Sequence, residues 1–304
     1  MRDMLASLSP QKLFRRELLD RHGIRFPEGK VRLEDGIMVT RCYLASRRTA
    51  VTADYDYYFL HAREGGANIS FERTSPIGYT DSVAKIASLI EHGHPDTDHA
   101  KQLVLDLYRR KVLRSYAPRR FRSMSSGRRR RWVAAHADFV EAHVPAEMDA
   151  HLNFPFRQRS QLVRARDEQG LLRLAGTEVA LAATPLATVP ELGENTLFFG
   201  LRLDRGSTYD DVRVLARSRA NGAEVVAACG PGDRMFQVVL PRAQLDRLGP
   251  VLIDLYARLH RDGCDSPPRR IQAPEQGLPT GLSGARLYAT VHGNLSIDQR
   301  RSDW

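Results

Sequence analysis

Residues 91–99 read Glu-His-Gly-His-Pro-Asp-Thr-Asp-His. His92, His94 and His99 stand there beside Asp96 and Asp98. Imidazoles and carboxylates hold zinc or iron when they converge. The flanking pattern offers a plainer role: Gly93 stops one helix, and Asp96 or Asp98 caps the next. No metal is expected at these histidines. A second pair, His136 and His143, shares one helical stripe with Trp132 and Phe139. A packed histidine with a single hydrogen bond is the ordinary outcome in such a stripe. There is no glycine-rich loop ending in lysine, so P-loop chemistry is not expected. The serine of "GLSGARL" lacks the strand–turn–helix setting of an exposed nucleophile. No cofactor is expected.

The most conspicuous chemistry is cationic. Residues 119–132, "RRFRSMSSGRRRRW", hold seven arginines and no acid. Guanidinium forks grip phosphates and carboxylates at two points. Arg128, Arg129 and Arg130 are therefore candidate phosphate ligands, in a loop that runs into the next helical turn. A solvated charge run is the alternative. Nucleic-acid binders spread basic residues over a face and interleave aromatics for stacking. Phe121 and Trp132 are the only aromatics in this stretch, so nucleic acid is a disfavoured partner.

The whole chain agrees with an anionic partner. Its 304 residues carry a formal net charge of +10, a field that favours and steers anions without naming one. A hydrophobic fraction of 42% and a charged fraction of 27% suit a globular protein. No apolar run reaches the ~18 residues of a membrane-spanning helix, and no membrane partner is expected. The N-terminus turns charged too early for a secretory signal. Three scattered cysteines, Cys42, Cys229 and Cys264, argue against a disulfide framework and for a reducing compartment. A cytoplasmic location follows as an expectation, with secretion as an effector the alternative.

The elements that must position these groups predict an α+β protein: an N-terminal β-then-helical region (1–150), then a mixed-sheet α/β sandwich (151–304). "GIMVTRCYLA", "DYDYYFLHA" and "ANISFERT" are rich in β-branched and aromatic residues and read as strands, with Gly65-Gly66 as a turn. "TDSVAKIASLIEHG" and "DTDHAKQLVLDLYRRKVL" have apolar residues at helical spacing. A helix also follows Arg131. Pro145, Pro155 and the irregular "MDAHLNFPFRQRS" place a boundary near 150–158. Beyond it, "QLVRARDEQGLLRLAGTEVALA" reads as two or three strands. "NTLFFGLRL", "AEVVAAC" and "RMFQVVL" read as single strands, with "GPGDR" as a turn between the last two. "YDDVRVLARSRANG" and "RAQLDRLGPVLIDLYARLHRDG" read as helices.

That layout, from the aromatic strand "LFFGLRL" through the long apolar element with Tyr256 to "PPRRIQAPEQGLPTGL", resembles the HopA-type effector family over roughly 195–292. The family includes plant-pathogen effectors and relatives in peptide natural-product clusters. The resemblance implies a phosphothreonine-lyase-like fold. It also implies β-elimination of phosphate from a phosphoserine or phosphothreonine peptide, with a kinase supplying that phosphate. A base takes the α-proton while cations hold the leaving group. The expected partners are then a phosphorylated or acidic peptide and a kinase. The expected site is His292 and Tyr288 for proton handling, on one face of a strand through "LYATV", with Arg269 and Arg270 on the phosphate. The chain departs from the family at two places. Arg270 stands where a lysine is usual, and "VVAACG" has no lysine; arginine is a poor general base. A peptide- or host-protein-binding effector without catalysis is the second expectation, and a nucleic-acid binder the third.

Overall fold

The computed structural model describes residues 7–9, 11–29, 31–52, 54–59, 74–193, 195–203, 208–232, 235–275, 277–279 and 285–300. The architecture is α+β. The chain divides into two compact units, Met1–Ala175 and Gly176–Trp304. Residues 150–158 lie inside the first.

The first unit is helical. In order it holds α1 (Arg16–Arg21), α2 (Glu34–Ala45), α3 (Pro76–Gly93), α4 (Thr97–Leu107), α5 (Pro118–Arg122), α6 (Ser126–His143) and α7 (Phe156–Arg164). The last helix, α8 (Glu168–Leu181), runs across the division. Local chemistry sets the ends. The Ser75 Oγ accepts from Gly78 N–H and Pro76 opens α3, where its missing N–H costs nothing. Gly93 closes α3, and Asp96 caps α4 by accepting from His99 N–H at 2.9 Å. A π turn (Tyr108–Val112) and a 3-10 turn (Leu113–Tyr116) prolong α4. Ile37, Val83, Ile86, Ile90, Leu103, Leu107, Tyr108 and Val140 are among its fully buried core.

Two expected β segments of this unit differ. "GIMVTRCYLA" is not a strand but the body of α2. Seven of its residues from Gly36 to Tyr43 are buried, so the helix is covered on most sides and shows no polar face to reveal its period. The segment read as strands from 161 onward forms the end of α7 and α8. Arg166, at φ 54°, turns the chain between them. Residues 60–73, which contain most of the other two expected strands and the Gly65-Gly66 turn, lie outside the described residues.

The second unit is a sheet of β1 (Leu186–Ala187), β2 (Glu191–Leu192), β3 (Thr196–Arg202), β4 (Asp211–Ser218), β5 (Glu224–Pro231), β6 (Phe236–Pro241), β7 (Leu252–Arg261), β8 (Cys264–Asp265), β9 (Arg269–Arg270), β10 (Arg286–Ala289) and β11 (Leu295–Asp298). A short helix, α9 (Arg242–Asp246), follows β6. The path is β1-β3-β6-β5-β4-β7-β11-β10, with β2 on β3 and both β8 and β9 on β7. The paired strands are antiparallel. β3, β5 and β6 match their sequence expectation. The helices expected at 209–222 and 242–263 do not form as such: most of each is strand, β4 and β7. In β4, Val212, Val214, Ala216 and Ser218 are buried while Arg213 is exposed. That alternation of period two was present in the sequence. In β7, Ile253, Leu255, Ala257 and Leu259 point into the core. Gly249, at φ +77°, separates that strand from α9.

Candidate functional site: a carboxylate cleft at the start of α2

A cleft of about 530 Å³ opens within the first unit at the N-terminus of α2. It is lined by Ser7 and Ser9 from the N-terminal segment, by Arg32, Leu33, Glu34, Asp35 and Gly36, by Tyr79 and Ile86 of α3, and by Lys111 of the π turn. Leu33, the residue ahead of α2, has φ 55° and ψ 31°. A side chain with a Cβ pays roughly 1–2 kcal/mol for that left-handed conformation. Such outliers cluster where the surrounding structure holds functional groups in place. Here the strained residue immediately precedes two carboxylates. Gly36 allows α2 and α3 to approach: a Cβ there would stand 3.0 Å from Ile86 Cδ1. Thr40 Oγ1 donates to the Gly36 carbonyl at 2.7 Å, and Tyr43 OH reaches the Ser7 carbonyl at 3.5 Å.

The cleft lining holds a carboxyl and an ammonium whose pKa values burial shifts in opposite directions. Burial, and then the neighbouring Glu34 charge, push the Asp35 carboxyl above its ordinary range. A helix N-terminus favours the anion, so the burial acts against the dipole. Burial, and then Arg110 and Arg114, pull the Lys111 ammonium down. Burial also raises the Tyr79 phenol, whose hydroxyl donates to the Lys111 carbonyl at 3.4 Å. A carboxylate with a raised pKa is a stronger base. A lysine lining the same cleft can hold an anionic group.

This site was missed in the sequence. The available signal was the acidic pair Glu34-Asp35 ahead of an apolar run, a helix-start pattern. Reading the run as a strand concealed it.

The expected site residues fall elsewhere. Residues 119–132 are not a loop; they form α5 and the start of α6. Arg129 is used by the scaffold: it donates to Glu168 Oε1 at 2.7 Å and to the Met124 carbonyl, above the Phe121 ring. Arg128 donates to the Thr74 carbonyl at 3.3 Å, and Arg130 is exposed. In the second unit, Arg270 ion-pairs with Asp254 at 2.6 Å and donates to Ser296 Oγ at 2.7 Å. Tyr288 is the cross-strand partner of Ser296, so Arg270 and Tyr288 flank the same serine. Arg269 lies opposite Ala257. "LYATV" supplies β10, but the strand ends at Ala289. His292 is therefore not on the Tyr288 face; it sits exposed in the turn that Gly293 closes at φ +71°.

The remaining histidines have local partners. His94 and His99 rings stand 4.7 Å apart, and His94 Nδ1 accepts from Asp96 N–H at 3.1 Å. Among the described residues no group of three or more His, Cys, Asp or Glu is placed to hold a metal ion. His136 is fully buried and its Nδ1 meets Tyr116 OH at 2.9 Å. Burial, and then Arg120, bring its pKa down to about 3, so it is a neutral core residue. His143 meets Glu91 at 3.1 Å.

Comparison with known proteins finds similarity to glycosyl transferases. Residues 76–175 match the family described as the glycosyl transferase TarS linker domain. That span contributes Tyr79, Ile86 and Lys111 to the cleft. The chain is 28% identical over 164 residues to the poly(ribitol-phosphate) beta-N-acetylglucosaminyltransferase TarS of Staphylococcus aureus strain Mu50, covering 54% of this chain and 28% of the relative. It is 27% identical over 175 residues to the poly(ribitol-phosphate) beta-glucosyltransferase of Bacillus spizizenii, covering 54% of this chain and 26% of that protein. The chain thus matches little more than a quarter of the length of these relatives. The crystal structure of S. aureus TarS aligns with 97% of this chain and 59% of its own, at TM-score 0.54 and 17% identity. The structure of S. aureus TarS 1-349 in complex with UDP-GlcNAc aligns with 69% of this chain and 58% of its own, at TM-score 0.52 and 22% identity. These last two are likenesses of fold.

The matches correct the resemblance to HopA-type effectors, and with it the lyase, effector and nucleic-acid-binding functions. The structure supplies the physical reason. The resemblance required Tyr256 on a long helix and a helix through "YDDVRVLARSRANG", and both segments are antiparallel strands.

Proposed function

We propose that this chain handles the acceptor in glycosyl transfer onto a phosphodiester-linked polyol such as poly(ribitol phosphate), with Asp35 as the general base. Asp35 in its cleft, its carboxyl raised by burial, carries the reading. The names of the curated relatives supply the acceptor class. In the reaction an acceptor hydroxyl oxygen attacks the anomeric carbon of a sugar nucleotide. The bond from that carbon to the nucleotide diphosphate breaks, and the hydroxyl proton passes to the Asp35 carboxylate. Lys111 holds a backbone phosphate of the acceptor next to that hydroxyl. The chain's formal charge of +10 suits a polyanionic acceptor. Three free cysteines accord with a reducing, cytoplasmic setting.

Titration of a short ribitol-phosphate oligomer by calorimetry tests the reading, followed by transfer from UDP-GlcNAc. Lys111→Gln should weaken oligomer binding about tenfold, the scale of a hydrogen bond to a charged group. Asp35→Asn should leave binding within about twofold and remove transfer by about a hundredfold or more, as expected for loss of a general base. An oligomer that does not bind, or transfer undiminished in Asp35→Asn, overturns it.

A further inference from the structure

Strand alternation gives the second unit a second face, on which Arg213 is exposed, Arg258 half-buried, and Leu215, Asp254 and Ser296 buried. Cross-strand register aligns Arg213 of β4 directly opposite Arg258 of β7. Two residues further along β4, Leu215 faces Tyr256, which in turn faces Arg270 of β9. Two more place Arg217 opposite Asp254, and Asp254 opposite Ser296. All of these side chains project to the side opposite Val212, Val214, Leu255 and Ala257, because successive side chains on a strand point to opposite faces.

Acids compensate part of this charge and leave a part over. Arg217 pairs with Glu224, and Arg219 and Arg270 share Asp254. Arg213 pairs with Asp211 at 2.8 Å, with its side chain 65% exposed. Arg258 has no ion-pair partner among the described residues. Like charges directly opposite on an antiparallel pair destabilise a sheet, so Arg213 and Arg258 oppose folding where they stand. Tyr256 lies between two guanidinium groups, 4.6 Å from that of Arg217 and 5.2 Å from that of Arg270. These contacts hold both planes against the ring and restrict their freedom, which lowers the entropy lost on binding an anion. Arg213 and Arg217 stand four residues apart on β4, roughly 13 Å at strand rise, with Arg258 across from the first. That spacing suits a polymer with repeated charges better than a single phosphate.

We infer that the Arg213–Arg258 face of the second unit docks a phosphodiester-linked polyol chain, a polymer-binding surface additional to the Asp35 cleft. The identity of the polymer rests on the function proposed above; the surface itself rests on register and charge. Its part is to retain a long acceptor, and a one- or two-unit oligomer is too short to need it.

The test uses the full chain and two ligands, poly(ribitol phosphate) and the short oligomer, in binding titrations at two salt concentrations. The variant is Arg213→Gln with Arg258→Gln. Polymer affinity should fall about tenfold or more, and the dependence of affinity on salt should flatten, since fewer counterions are displaced. Oligomer binding should not change. The melting temperature should hold or rise, because a like-charge pair is relieved. Polymer binding that is unaltered in affinity and salt dependence overturns the docking face, as does a wild-type chain that ignores the polymer. A face-dependent polymer affinity in a chain that ignores the short oligomer supports the docking face and sinks the Asp35 acceptor site instead.

Discussion

Asp35 is kept in the fold at a cost. Its ionised form is disfavoured by burial and by Glu34, so the folded state binds its proton more tightly than the unfolded chain does. Stability from this group is present at acid pH and is lost as pH rises from the unfolded carboxylate range, about 3.9, through the raised folded value. Asp35→Asn should therefore melt at or above the wild-type temperature at pH 7. The difference should shrink as the pH is lowered below 4. Thermal melts at both pH values check this; a variant markedly less stable at pH 7 would mean that the carboxylate supports the fold. Stability gained together with transfer lost is the behaviour of a residue retained for chemistry. His136 is the opposite case, a group with catalytic potential that the core holds neutral.

At the level of elements, the arginine-rich stretch shows how context reassigns a side chain. Seven arginines in fourteen residues look like a ligand site, yet Arg129 joins the start of α6 to the start of α8 through Glu168. The two side chains are only 14% and 11% exposed. Removing one partner of such a pair leaves the other buried and unmatched, a loss of about 3 kcal/mol or more. Arg129→Ala should cost that much in denaturant unfolding, while Arg130→Ala, at an exposed position, should stay within about 0.5 kcal/mol. Equal effects of the two would show that the Glu168 contact contributes nothing. α2 was misread because it is covered on most sides, and an apolar run carries no period from which to tell helix from strand. β7 does carry a strand period, Ile253, Leu255, Ala257 and Leu259 alternating with Asp254, Tyr256, Arg258 and His260, and it was outweighed by leucines that also fall at helical spacing.

For the whole molecule, two units imply two separable stabilities. Burial pushes the Asp254 carboxyl of the second unit up, but Arg219, Ser296 and Arg270 hold it below the usual carboxylate range. Stability from a depressed carboxyl is fully present above the unfolded value and is lost as pH falls through the folded one. Calorimetry should resolve two transitions at pH 7. Asp254→Ala, which strands two arginines, should lower one of them, and Arg129→Ala the other. In the wild type, the transition that Asp254→Ala lowers should drop further when the pH is taken below about 4. A single transition moved by both variants would show that the units unfold as one.

Some of this could be decided from residues close together in the chain. Gly93 and Asp96 set helix ends through contacts a few residues long, and the sequence by itself determined them. β3, β5, β6 and the α+β class were likewise legible, because turn residues bracket short β-branched and aromatic runs. The alternation in "DVRVLARS" was legible too, although it was outweighed by acids and glycine that mimic helix ends. The cleft was not open to such reading. It brings together Ser7, Asp35, Tyr79 and Lys111, which are separated by tens of residues, and the raised Asp35 carboxyl exists only once that burial has formed. The same holds for Arg213 and Arg258. Each is an ordinary arginine along the chain, and only the pairing register of β4 on β7 sets them opposite one another and makes their charge a surface.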